Sequence, residues 1–446
     1  MPSKPLLIFD GACGFCRRWI ERWRQKTGDR IDYAPSQEAA GRFPEIPKEE
    51  FDRSVVLVEP NGAITTGAEA ALKALALGSR RGPGDGGRIL YWFYRRLPGF
   101  KTIAEKFYSF IASHRMAASR ISNLLWGKNL EPSTYRCSIW IFLRLLGLTY
   151  LIAFLSLAVQ IRGLVGKNGI LPIAPLVDLV KERLGPWGIL DFPTLCWFQA
   201  GDPFLLFLCL GGAALSLLVL FGFLQGPLLL ILWIFYLSLA TAGQVFLQFQ
   251  WDNLLLEAGF IALCAAPWKV WAGKPATLCL SRPARWLFWF LLFKLTFSSG
   301  LVKLASGDET WQNLTALNFH YETQPLPTWI GWHVHQLPEW FQKVSVVFMF
   351  FVELVVPFFI FMPRRIRHGG AFLIMALQGL IALTGNYGFF NLLTIALCLT
   401  ILDDVFWKRP AIAPLSPLSF SPQKTAALVF PASPSARSIA TAFLPS

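Results

Sequence analysis

The sequence predicts two unlike parts in one chain: a small mixed α/β domain over residues 1–130, then an all-α, multi-pass transmembrane helix bundle over residues 137–405. Three observations predict it. The 446-residue chain is 54% apolar and only 15% charged, whereas about a quarter of residues are charged in soluble domains. Apolar runs reach the roughly 20 residues needed to cross a bilayer only after Ser138. Ahead of that point, strand-length and helix-length patterns alternate between turn residues. The net charge of +14 is not gathered into basic blocks interleaved with polar residues, so no nucleic-acid partner is expected. Basic residues set between apolar runs read instead as membrane flanks.

The first part justifies its elements in order. PLLIF is a short buried strand, CGFCRRWIERWRQKT has apolar residues at helical spacing, and RIDYA is a second strand. After a Pro/Glu-rich connection come SVVLV, a turn at EPNG, the strand AITT and the helix GAEAALKALAL. The order β-α-β, then a β-hairpin, then α, is a thioredoxin-like layout. GSRRGPGDGG is a Gly-rich loop. From Ile89 to Asn129, aromatics mix with Arg and Lys, which suits either helices lying in the membrane interface or closing helices of the first domain.

Cys13 and Cys16 form a C-x-x-C pair, while Cys137, Cys196, Cys209, Cys264, Cys279 and Cys398 are scattered singly. This is not a secreted disulfide framework. MPSKPLLIFD lacks the apolar core of a signal peptide, so the first domain is expected in the cytosol, where thiols stay reduced. A C-x-x-C between strand and helix sets its first sulfur against unpaired N–H groups and the positive end of the helix dipole. Both favour thiolate, the nucleophile of disulfide exchange. On this reading Cys13 attacks a protein thiol or disulfide partner and Cys16 resolves the mixed disulfide. Arg17 and Arg18 add positive potential, and Asp10 relays a proton or caps the loop. A redox-silent structural pair is the competing reading. Zinc would need a second ligand pair, and the sequence offers none, so no metal or cofactor is expected.

FDGACGFCRRWIERW, SVVLVEPNGAITTGAEAAL and YSFIASHRMAASRIS together resemble the DCC family of thiol-disulfide oxidoreductases over residues 4–128. The family's Asp and two Cys match Asp10, Cys13 and Cys16, and the resemblance implies a thioredoxin-like fold. No proline directly precedes SVVLV, the nearest being Pro47, which departs from better-known thioredoxin-like enzymes.

In the second part, candidate spans fall at 138–159, 203–224, 227–247, 251–267, 284–304, 344–362 and 369–387, with a shorter eighth at 389–402. With the N-terminus inside, the cytoplasmic flanks carry Arg136; Lys269, Lys274, Arg282 and Arg285; Arg364, Arg365 and Arg367; and Lys408 and Arg409. The opposite side carries Arg162, Lys167, Lys181 and Arg183 in one loop, and no Lys or Arg from Ala305 through Gln342. The asymmetry follows the positive-inside rule and puts both termini in the cytoplasm. The Pro/Ser-rich tail over 410–446 is expected to be disordered.

Arg144, Asp252, Glu257, Lys294, Lys303 and Glu353 interrupt or flank the apolar runs. Charges in hydrocarbon must pair or face a cavity, so these either lock helices together or line a polar pocket. The segment SGDETWQNLTALNFHYETQPLPTWIGWHVHQLPEWFQK concentrates Trp, Tyr and His, as a membrane-hugging external flap does. Its His320, Tyr321 and Glu322 are candidate functional residues. His333 and His335 stand two apart, a spacing that suits a strand but not one face of a helix.

GLVGKNGILP, QWDNLLLEAGF, SGLVKL, LTALNFHYETQPLP and TGNYGFFNLLTIALCLTILDD, in that order, look like the lipase maturation factor family over residues 137–405. The resemblance implies a multi-pass membrane protein, and its animal members help secreted lipases to fold. Those members continue into a C-terminal domain and lack a fused thiol domain. The fusion implies a bacterial inner membrane. The reading that follows is a membrane-anchored thiol-disulfide oxidoreductase supporting maturation of exported proteins such as a lipase. The alternatives are a non-enzymatic folding factor with a regulatory thiol pair and, last, a transporter.

Overall fold

The computed structural model describes residues 2–78, 86–127, 129–278 and 280–407. The tail 410–446, Cys279, Lys408, Arg409 and most of the Gly-rich loop lie outside them.

The N-terminal domain is built on a four-stranded sheet of order β2-β1-β3-β4. β1 (Leu6–Phe9) pairs in parallel with β2 (Asp32–Pro35) and antiparallel with β3 (Val56–Val58), which pairs antiparallel with β4 (Ile64–Thr66). β1 and β3 are central and buried on both faces, so LLIF and VLV are continuous apolar runs with no polar alternation. Leu7, Phe9 and Leu57 pack with Ile20 of α1 (Gly14–Thr27) and Ala70 and Ala74 of α2 (Gly67–Leu77). Leu6, Ile8, Val56 and Val58 pack on the other face with Ala39, Ile46 and Phe51. This is the thioredoxin-like arrangement that the sequence predicts.

Three further helices follow: α3 (Gly86–Arg96), α4 (Phe100–Ser113) and α5 (Arg115–Trp126). α3 and α4 pack on α2, and α5 packs on α1. Glu105 of α4 accepts from the N–H groups of Ala68 and Glu69, at 3.2 Å each, and from the Tyr94 hydroxyl at 2.7 Å. A side chain from α4 thus caps the N-terminus of α2. These helices close the domain while leaving Ile103, Phe107 and Phe110 of α4 and Met116 of α5 exposed.

Among the described residues, six helices are long and apolar enough to cross a membrane. They are α6 (Arg136–Val165), α7 (Asp202–Phe221), α8 (Gln225–Ala242), and then, after the shorter α9 (Gln250–Leu263), α10 (Arg282–Ala305). The fifth is Glu339–Phe361, which starts as α11 (Glu339–Phe350), and the sixth is α12 (Arg364–Thr384), followed by the short α13 (Phe390–Leu399). Two expected spans are therefore shorter than a bilayer: α9 is about 21 Å long and α13 about 15 Å. α9 nonetheless returns the chain across the bundle. Gly226 N–H donates to the Pro267 carbonyl at 3.0 Å and Leu224 N–H to that of Val270 at 2.9 Å, bringing the segment after α9 back to the α7–α8 turn. α13 runs antiparallel to α12, with Asn391 donating to Gln378 at 2.9 Å and Asp403 reaching Arg364.

The bundle is closed at the end beside the thiol domain. Asp404 accepts from Thr134 Oγ1 at 2.6 Å and from the N–H groups of Arg136 and Cys137 at 3.1 and 2.8 Å, capping α6 from the far end of the chain. Asp403 is fully buried and gathers Arg364, Ser133, Arg367 and His368 around it. Arg364 also donates to the Asn129 and Glu131 carbonyls, fixing the connection between the two domains. Arg136, Arg285, Arg364 and Arg367 all cluster at this end, Arg285 and Arg367 both lying over the ring of Tyr135.

Candidate functional sites

Cys13 is the N-cap residue of α1, and both it and Cys16 carry free thiols, half-buried. The strand-to-helix turn sets the Cys13 sulfur at the start of α1, where it accepts from the Cys16 N–H at 3.4 Å. Cys16, one turn in, is different. Burial, then the hydrogen bond and charge of Cys13, push its thiol up to about 12, against a lowering by Arg115. Cys16 therefore keeps its proton at neutral pH.

The supporting residues are not all those expected. Asp10 does cap the loop: its Oδ1 accepts from the Ala12 N–H at 2.9 Å, and Gln37 reaches the same oxygen at 3.4 Å. Arg17 is exposed on the solvent side of α1. Arg18 turns away to Asn123 and to Ser119, the latter at 3.0 Å, and so docks α1 on α5. The cation at the site is Arg115, the first residue of α5. Its guanidinium pairs with Asp10 at 2.7 Å, donates to the Asp52 and Arg53 carbonyls, and acts by its charge on both sulfurs. Tyr108 accepts from the Val55 N–H at 2.9 Å, holding the segment before β3 where a proline is absent. Arg115 lies 105 residues from Asp10; the signal for it was its place inside YSFIASHRMAASRIS.

The charges of the bundle pair locally. Lys294 Nζ lies 2.6 Å from both carboxylate oxygens of Glu257, and Lys303 Nζ lies 2.6 and 2.8 Å from those of Glu353. Asp252 pairs with no cation among the described residues: it is buried and accepts from the Tyr236 hydroxyl at 2.5 Å. Arg144 sits over the Trp140 ring at 3.7 Å and donates to the Trp140 carbonyl at 3.0 Å, with no acid beside it among the described residues.

The segment 306–338 forms short helices, Ala316–Thr323 and Trp329–His335, over the Thr384 end of α12. Gln324 and Thr328 donate to the Thr384 and Leu383 carbonyls at 3.1 and 2.8 Å. His320 Nε2 faces the Tyr387 hydroxyl at 3.3 Å, with burial and then the Lys303 charge lowering its affinity for a proton. Glu322 pairs with His335 at 3.2 Å, and Tyr321 packs edge-on against the same ring. His333 lies between Trp329 and Trp332. His333 and His335 are helical, so their spacing separates them. Under this cap is a cavity of 840 Å³ lined by Lys303, Glu353, His320 and Tyr321 among mostly apolar side chains. Glu353 sits on a π-helical turn, Phe351–Val355, that interrupts the span begun by α11; neither the turn nor the cavity is visible in residue order. Asp403 and the cap lie at opposite ends of α12, about 30 Å long.

Two family profiles match the chain: a DCC1-like thiol-disulfide oxidoreductase over residues 7–121, and the lipase maturation factor transmembrane domain over residues 137–409. The chain is 48% identical over 279 residues to lipase maturation factor 2 of Xenopus tropicalis, covering 58% of this chain and 38% of that protein. It is 41% identical over 286 residues to lipase maturation factor 2 of Homo sapiens (59% and 40%) and 35% identical over 285 residues to lipase maturation factor 1 of Bos taurus (62% and 50%). The matched region thus spans half or less of the length of these vertebrate relatives. No solved structure matches the chain. The chain belongs to the lipase maturation factor family through its membrane domain, which follows a DCC1-like thiol-disulfide domain.

Proposed function

We propose that this protein carries out dithiol–disulfide exchange at Cys13 and Cys16, anchored to a membrane bundle that supports the maturation of exported proteins, with an exported lipase as client. The Cys13 thiolate attacks a disulfide sulfur of the partner protein, the partner's S–S bond breaks, and its second sulfur leaves as thiolate. Cys16 then loses its proton and attacks the Cys13 sulfur, freeing the partner as a dithiol and leaving Cys13 and Cys16 oxidised. The reverse sequence oxidises the partner. Arg115 positions Asp10 and offers positive charge to the sulfurs; Asp10 holds the loop. Arg17 contributes at most long-range potential from its exposed site.

The observation that carries this reading is the asymmetry of the pair. Cys13 caps a helix, whereas burial keeps Cys16 protonated. In the full chain held in nanodiscs, Cys13→Ser is expected to abolish exchange with a protein disulfide. Undiminished exchange in that variant would falsify the assignment. Cys16→Ser is expected to accumulate the mixed disulfide, which identifies the partner.

A second reading is favoured by the separation of the thiols from the cap: the bundle and its His320–Glu322 segment serve the client without sulfur chemistry. Under it, Cys13→Ser leaves client maturation intact in cells while substitution of His320, Tyr321 or Glu322 does not. In both readings we infer a cytoplasmic thiol domain and a bacterial inner membrane. The support is the clustering of Arg residues at the thiol-domain end and the fusion of the two domains.

A further inference from the structure

The cavity beneath the cap is unlike the rest of the bundle. Its mouth opens sideways: Val302, Val344 and Leu380, each more than half exposed, line the cavity one or two turns inside the ends of their helices. The rim is apolar and carried by helices long and apolar enough to cross a membrane, which gives an apolar ligand a sideways route to the cavity. At 840 Å³ it falls within the roughly 300–1,000 Å³ of small-molecule sites, which are likewise mostly apolar with a few convergent polar groups.

The polar groups define the ligand. Lys303 uses two of its three N–H donors on Glu353, leaving one to offer, and its ammonium faces the Trp311 ring at 5.6 Å. The Glu353 side chain is 7% exposed. An anionic head group that drew Lys303 away would strand this carboxylate without a partner, a heavily unfavourable outcome. A cationic one would strand the lysine in the same way. His320 is held neutral by burial and by Lys303. The site therefore offers hydrogen bonds with no net charge. Glu353 also occupies a π-helical turn, a feature that gathers at functional sites.

We propose that this cavity binds an uncharged lipid bearing a hydroxyl or ester carbonyl, drawn sideways from the bilayer, with Lys303 and Glu353 as its polar anchor. It is independent of the thiol chemistry at the other end of the bundle.

The test uses the full chain in phosphatidylcholine nanodiscs with two photoactivatable probes, a diazirine diacylglycerol and a diazirine phosphatidic acid. Labelled peptides are mapped by mass spectrometry. Diacylglycerol is expected to label α10, α11 and α12 around the cavity, competed by unlabelled diacylglycerol, and to exceed phosphatidic acid by about five-fold or more, because the anionic head group draws Lys303 from Glu353. Ser345→Phe, which fills the cavity and spares the ion pair, is expected to reduce labelling to the phosphatidic acid level. Equal labelling by both probes, labelling not competed, or labelling unchanged in S345F would overturn the proposal. Competition on the unaltered chain decides the matter even if S345F fails to fold.

Discussion

Arg115 ties three parts of the thiol site together: it pairs with Asp10, donates to the carbonyls before β3, and acts by its charge on both sulfurs. Arg115→Ala is expected to slow disulfide exchange about ten-fold, equivalent to ~1.4 kcal/mol, with Arg115→Lys recovering part of the loss; stopped-flow exchange of the full chain measures it. Cys16 supplies a second expectation. Its proton is held more tightly in the native state than in the unfolded chain, where a thiol titrates near 9.0 against about 12 here. Stability from this group is thus complete below the unfolded value and is lost as pH climbs toward the folded one. Iodoacetamide should modify Cys13 at pH 8 and spare Cys16, the pattern read by mass spectrometry; equal modification would contradict the asymmetry. Asp10, Cys13 and Cys16 were legible in sequence because strand, turn and helix place them locally. Arg115 was not, because its approach to Asp10 is made by the packing of α5 on α1.

At the scale of elements, the bundle is joined by close helix approach. A Cβ on Gly147 of α6 would come within 2.9 Å of the Leu220 backbone nitrogen on α7, and one on Gly212 of α7 within 2.6 Å of the Phe154 ring on α6. Small residues let membrane helices meet backbone to backbone, where packing supplies the association energy. Gly147→Leu is expected to destabilise the bundle by about 1–3 kcal/mol, as overpacking does, seen as a lower melting temperature of the purified chain in detergent. α9 and α13 teach a different lesson. Their apolar sequences extend past their helices, and hydropathy does not mark where a helix gives way to a turn held by hydrogen bonds such as Gly226 to Pro267. The π-helical turn at Glu353 is equally silent in FVELV, because one added residue per turn is a matter of backbone hydrogen bonding.

Over the whole molecule, the six long helices with the shorter α9 and α13 return Asp403 and Asp404 to the entry of α6, so the thiol domain and the end of α13 share one face. The cap stands on the other, joined to α12 through Gln324 and Thr328. If the thiol face is cytoplasmic, a membrane-impermeant maleimide should reach Cys13 only after cells are permeabilised, and labelling of intact cells would reverse the orientation. The sequence by itself determined the two-part architecture, the succession of strands and helices along the first domain, and the thiol pair. Each of these follows from local periodicity, turn chemistry and the energy of burying apolar runs in lipid. Only the tertiary structure decided that Lys303 meets Glu353 and Lys294 meets Glu257, that Arg115 and not Arg17 attends the thiols, and that a cavity lies under the cap. Those contacts join residues tens to a hundred positions apart, and they depend on how helices pack, which no single stretch of sequence specifies.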